Sequence, residues 1–158
     1  MIQTNNNEAI TKKLEQYCAY QERCHQEVIQ KMRGMAIESN TIDEIVVHLI
    51  QNKFLNEERF ACSFARGKHR IKLWGNTRII NELKARNISQ TNIKIALSEI
   101  PKDEYHSTFE KLSTRIYESI TEKNELKKRK KFCDYLLRKG YESELVYEKV
   151  RELEKSDN

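Results

Sequence analysis

Ile80-Asn81-Glu82-Leu83-Lys84-Ala85-Arg86-Asn87-Ile88 lines up with Cys133-Asp134-Tyr135-Leu136-Leu137-Arg138-Lys139-Gly140-Tyr141, and each stretch follows a basic segment. The offset of 53 residues persists beyond them, carrying Ile93 onto Val146 and Leu97 onto Val150, so the repeat includes the next helix. Asn87 and Gly140 match for a physical reason. A helix commonly stops on a residue in the left-handed region, which glycine and asparagine tolerate best. A weaker copy runs from Val28 through Met32 to Ile45 and Leu49, with a linker about three residues longer at Glu38-Ser39-Asn40.

Around these landmarks apolar residues recur at helical spacing almost everywhere. They fall at Ile10, Leu14, Tyr17 and Cys18, then Val28, Ile29 and Met32, then Ile42, Ile45, Val46, Leu49 and Ile50. Phe60, Phe64, Ile71 and Trp74 follow, then Ile79, Ile80 and Leu83, then Ile93, Ile95, Leu97 and Ile100. The last third holds Phe109, Leu112, Ile116 and Ile120, then Phe132, Tyr135 and Leu136, then Leu145, Val146 and Val150. The expected fold is all-α, about nine helices in three tandem three-helix repeats over 9–55, 56–101 and 102–153. Residues 1–8 and 154–158 are expected to be disordered tails.

Thr41 with Glu44 and Ser107 with Glu110 have capping-box spacing, with an interior helical place as the alternative for Ser107. Asn76, Ser89 and Ser143 are further N-cap candidates. Phe60, Leu83, Leu97, Leu136 and Val150 are expected in the core.

Composition agrees with slim amphipathic helices. Only 38% of the 158 residues are hydrophobic and 34% are charged, which suits narrow stripes better than thick buried layers. One proline and 4 glycines supply too few turn residues for an all-β fold. No apolar run reaches the length of a membrane span and the start is polar, so a cytoplasmic protein is expected. Cys18, Cys24, Cys62 and Cys133 share no short spacing and read as reduced core thiols.

No pattern of chemistry emerges. The glycines are isolated, so no phosphate-cradling loop is present. Cys18, Cys24 and His25 are the nearest approach to a ligand cluster, with His48, Cys62, His69 and His106 scattered; neither metal nor cofactor is expected. The acidic pairs Asp43/Glu44, Glu57/Glu58 and Asp103/Glu104 fall near helix starts, where the macrodipole favours them. An enzyme is not expected.

Charge is the informative signal. Residues 53–101 carry 10 Lys/Arg against 4 Asp/Glu, whereas 1–52 carry 5 against 7 and 102–158 carry 14 against 13. The positive field sits in the middle, so an acidic or polyanionic partner is expected there. Arg66, Lys68, Arg70, Lys72 and Arg78 surround Trp74 with no acid between Arg59 and Glu82. These five are the first candidates for partner contact, with Lys84 and Arg86 second. Trp74 suits an interface anchor or a base stack, although a lone tryptophan is more often core. Lys127-Lys128-Arg129-Lys130-Lys131 is a second basic run, equally a solvated face, with Glu125 and Arg129 at favourable i,i+4 spacing.

Phe54-Leu55-Asn56-Glu57-Glu58-Arg59-Phe60-Ala61, then a basic segment, a glycine, and Thr77-Arg78-Ile79-Ile80-Asn81-Glu82-Leu83-Lys84-Ala85-Arg86-Asn87-Ile88 form a specific ordered pair. The pair resembles the regulatory protein RecX family, as does Leu136-Leu137-Arg138-Lys139-Gly140-Tyr141 near the end. The resemblance extends over about residues 10–153. Asn87 stands where the family usually has glycine, and Gln21 and Cys24 where it tends to have Arg and Ser.

The resemblance implies tandem three-helix units in a curved, elongated body. It implies a non-enzymatic regulator that binds the recombinase RecA, preferentially as a filament on single-stranded DNA. Such a protein modulates filament growth, ATP hydrolysis, strand exchange and coprotease activity in recombination, repair and the SOS response, with inhibition the leading expectation. A monomer with a weak direct DNA contact fits that role. The rival reading is a basic helical module that binds nucleic acid directly, in the manner of a helix-turn-helix protein; a helical scaffold for an unrelated protein is a third.

Overall fold

The computed structural model describes residues 2–157, with side chains from Asn6 onward. The described residues form nine helices and no strand: α1 (Ile2–Tyr20), α2 (His25–Gly34), α3 (Ser39–Gln51), α4 (Glu57–Lys72), α5 (Asn76–Ala85), α6 (Gln90–Ser98), α7 (Lys102–Ser119), α8 (Glu125–Lys139) and α9 (Ser143–Ser156). The broadly packed helix pairs all lie within the triples α1–α3, α4–α6 and α7–α9.

Helix α4 shows how sequence sets an element. The Asn56 side chain caps it by accepting from the Arg59 amide at 3.0 Å. Glu57 and Glu58 occupy the first turn and His69, Arg70 and Lys72 the last, each sign at the favourable dipole end. Phe60, Ala61, Ala65 and His69 supply the buried stripe. Leu73, at φ 60°, ends it in the left-handed region.

The shared stop is real in all three repeats. Asn87 at φ 59° and Gly140 at φ 101° both lie in the left-handed region, and Ala36 at φ 57° does the same after α2. Caps differ from expectation more than stops. Ser89 caps α6 by accepting from the Asn92 amide. Thr41 lies inside α3, whose cap position is Glu38, and Ser107 lies inside α7, which already starts behind Pro101. Asn76 and Ser143 are first helical residues behind Gly75 and Glu142.

The terminal tails expected at 1–8 and 154–158 are instead largely helical. α1 begins at Ile2, and Asn7 O accepts from the Thr11 hydroxyl within it. α9 continues to Ser156 because its last turn is anchored: Tyr117 donates to Asp157 at 2.5 Å, and Glu154 pairs with Arg129 at 2.6 Å. Met1 and Asn158 lie outside the described residues.

Two hydrophobic cores result. Leu14, Cys18, Val28, Met32, Ile42, Ile45, Leu49 and Leu55 form one inside the first repeat. The second and third repeats share the other, which runs from Phe60 and Leu83 through Phe109 and Phe132 to Val150. Phe60, Leu83, Leu136 and Val150 are buried as expected. Leu97 is only half-buried, since its neighbour Ala96 takes the inward position. Ile71 and Ile50, placed on apolar stripes by their spacing, are 78% and 44% exposed. All four cysteines are buried and unpaired.

Candidate functional site

The turn at 73–76 and the turn at 139–141 meet backbone to backbone. The Gly75 amide donates to Lys139 O at 2.8 Å and the Thr77 amide to Gly140 O at 2.9 Å. Both glycines are required. A Cβ at Gly75 would stand 2.4 Å from Gly140 O, and one at Gly140 would stand 2.3 Å from the Arg78 Cβ. Tyr141 donates its hydroxyl to Leu73 O at 2.8 Å, closing the seam from the third repeat.

Behind the seam lies a buried polar layer. Tyr105 donates to Glu142 at 2.7 Å and accepts from the Asn76 amide at 3.1 Å. His69, fully buried, stacks on Tyr105 and places Nδ1 at 2.9 Å from Trp74 O, the geometry of an Nδ1–H donor. Burial, first, and the Glu142 carboxylate, second, push the Tyr105 hydroxyl far above its ordinary range; burial does the same for Tyr141. These phenols are fixed donors with no acid–base role at neutral pH.

The seam gathers cations from both repeats. Lys139 Nζ donates to Lys72 O at 3.1 Å, and Arg78 Nη1 donates to Arg138 O at 3.4 Å. Arg78 lies 4.1 Å and Lys68 5.0 Å from the centroid of the Trp74 ring. Trp74 is half-buried, with an edge contact to Phe64, so it props these two cations and also packs on the core. Desolvation, then the charges of Arg78, Lys72 and Arg115, lower the Lys139 pKa. Among the described residues, Lys68, Lys72, Arg78, Arg115, Arg138 and Lys139 have no carboxylate within ion-pair distance.

The structure therefore divides the cations picked out by sequence. Lys68, Lys72 and Arg78 join the seam. Arg66 pairs with Glu99 at 3.7 Å, and Arg70 forms a two-pronged pair with Glu104 at 2.8 and 3.2 Å. Those acids come from α6's end and α7, so the acid-free run between Arg59 and Glu82 is not acid-free in space. Arg86 is held by Glu82 at 2.9 Å and Glu27 at 3.8 Å, and Lys84 is exposed on α5 without an ion pair.

The second basic run is spent internally. Arg129 takes Glu154 at 2.6 Å rather than Glu125, Lys130 takes Asp134 at 2.6 Å, Lys131 takes Glu122 at 3.4 Å and Lys128 takes Asp157 at 3.8 Å. Lys127 has no ion pair. Sequence reasoning missed Arg115 and Lys139, which lie far along the chain from the basic segment they join. The signal was Gly140, whose match to Asn87 marked the turn beside them. Among the described residues no group of His, Cys, Asp and Glu could hold a metal, and no helix is long and apolar enough to cross a membrane.

Residues 56–97, which span α4 to α6 almost entirely, match the family model described as RecX, second three-helix domain. A regulatory protein RecX from Bacillus cytotoxicus is 26% identical over 144 residues, covering 90% of this chain and 53% of the relative. One from Bacillus cereus strain B4264 is 28% identical over 143 residues, covering 89% and 53%. The crystal structure of RecX from Lactobacillus salivarius superimposes with a TM-score of 0.79 at 22% identity, covering 96% of this chain and 98% of that one. Another RecX crystal structure gives 0.80 at 20% identity, covering 92% and 71%. The RecX resemblance holds. It includes the whole nine-helix fold and, in sequence, the middle repeat that carries Lys68, Lys72, Trp74 and Arg78. This RecX-like chain spans about half the length of the curated Bacillus relatives it matches.

Proposed function

We propose that this RecX-like protein is a non-enzymatic regulator that binds the RecA recombinase and its filament on single-stranded DNA. It works where RecA works, in the cytoplasm, as a monomer that damps filament growth, ATP hydrolysis, strand exchange and coprotease activity during recombination, repair and the SOS response. The observation that carries this reading is the seam, a surface where Lys68, Lys72, Arg78, Arg115 and Lys139, from two repeats, stand without carboxylates. Clustered like charge destabilises a compact chain unless a partner of opposite sign is bound. A protein partner or its DNA is therefore met at Lys68, Lys72, Arg78, Arg115 and Lys139, with Lys84 at the margin. Arg66, Arg70, Arg86 and, in the run 127–131, every residue but Lys127 are held by carboxylates of the chain itself and are secondary to this contact.

Several repeats touching successive protomers gain affinity from multivalency, so the filament is preferred to free RecA. The test is single-stranded-DNA-dependent ATP hydrolysis by RecA, titrated with this protein at fixed salt. A fall at substoichiometric amounts is the expected result. Unchanged hydrolysis together with no cosedimentation on filaments would remove the reading.

A further inference from the structure

The two junctions between repeats are built differently. Repeats two and three share one core and are joined amide to carbonyl at the Gly75–Gly140 seam. The first repeat keeps its own core and, apart from Cys24, which is buried in the larger one, meets the second mainly through charged side chains. Arg59 on α4 takes Glu22 at 2.7 Å and donates to Lys53 O and Phe54 O at 3.0 and 3.3 Å. Glu57 accepts from the His25 amide at 3.3 Å, and Glu27 reaches Arg86 at 3.8 Å. Between them runs a cleft of about 310 Å³, lined among others by Gln21, Glu22, Glu27, Phe64, Lys68 and Arg86.

We infer that residues 21–24 and 52–56 form a hinge about which the first repeat swings as a unit against the fused second and third repeats, latched by the Arg59–Glu22 ion pair. Cys24, fully buried against the larger core, is the pivot. Lys53, at φ 64°, sits in the left-handed region where the α3–α4 link turns.

The closed position is weakly favoured for two reasons. Its contacts are ion pairs between partly exposed side chains, whose attraction is small in water and screened by salt. Glu22 Oε2 and Glu27 Oε2 are also removed from solvent without a hydrogen-bond partner, and opening returns both to water. The seam on the other side also buries two unpartnered side-chain atoms, His69 Nε2 and Asn76 Oδ1, but there each turn satisfies the other's backbone and a shared apolar core holds the two repeats together. The inference rests on contacts within this chain alone and is independent of the partner reading.

The experiment measures distances between nitroxide labels on introduced cysteines. Val47, Ile71 and Leu126 are exposed, and the native cysteines are buried, so brief labelling selects the introduced sites. Val47→Cys with Leu126→Cys reports across the hinge. Ile71→Cys with Leu126→Cys reports within the fused body. In Arg59→Ala, and independently in Glu22→Gln, the 47–126 distribution is expected to shift to longer distances and lose its narrow component while 71–126 is unmoved. Salt at about 1 M, where the Debye length is about 3 Å, should act in the same direction on the unmutated latch. A 47–126 distribution as narrow as 71–126 in both latch variants, or equal broadening of the two pairs, would overturn the hinge.

Discussion

Gly75 approaches Gly140 so closely that a single methyl group on Gly75 would stand 2.4 Å from the opposite carbonyl oxygen. The contact fixes two repeats as one body, because the same turns exchange the Gly75–Lys139 and Thr77–Gly140 hydrogen bonds.

Gly75→Ala should therefore destabilise the larger core, by about 1–3 kcal/mol as an overpacking substitution does. Gly67→Ala is the control: nothing lies within 4 Å of its added Cβ, and it sits inside α4. That change should stabilise by roughly 0.5–1 kcal/mol. Urea denaturation of the two variants, followed by far-UV circular dichroism, should give shifts of opposite sign.

Cations that are unpaired should matter more to the partner than cations already neutralised. Lys72→Gln with Arg115→Gln is expected to weaken filament binding severalfold and flatten its salt dependence, at about 0.2–1 kcal/mol per exposed charge. Arg66→Gln with Arg70→Gln should change filament binding less. Cosedimentation across a salt series separates the two double variants, and equal losses would return Arg66 and Arg70 to the contact surface.

Leu83 and Leu136 are completely buried at matched positions of the repeat. Truncation of either to alanine should cost about 2–5 kcal/mol. Leu97→Ala should cost distinctly less, since that side chain is half-buried. Equal costs, measured by chemical denaturation, would mean that the α6 face is more enclosed than its exposure indicates.

Alkali should unfold the protein through its tyrosines. Burial, first, and then the Asp157 hydrogen bond push Tyr117 up to about 12 from an ordinary value of 10, and Tyr105 and Tyr141 rise further. A folded pKa above the unfolded one gives stability that is fully present below about pH 10 and is lost as pH climbs towards 12. Phenolate absorbance near 295 nm should rise normally for the exposed tyrosines. The remainder should appear only together with loss of helicity.

Much of the fold was legible because helix and repeat both leave periodic marks. Leu83 and Leu136, Ile93 and Val146, and the stop at Asn87 and Gly140 could be paired from spacing alone, and their burial and positive φ agree. The site was legible only in part. Lys68, Lys72 and Arg78 lie together in sequence, but Arg115 and Lys139 reach them only through the meeting of two turns. Glu99 and Glu104 likewise neutralise Arg66 and Arg70 from later elements, which no charge count along the chain reveals. Caps such as Asn76 were displaced by one residue because Gly75, needed for the seam, occupies the cap position itself.

The separation into two cores has a meaning for how such a chain can change over generations. A side chain added at Gly75 or Gly140 would have to be answered on the facing turn, so these two positions constrain each other. The first repeat answers mainly to its own interior and to a few exposed charges. Changes inside it are therefore expected to leave the form of the other two thirds of the molecule intact.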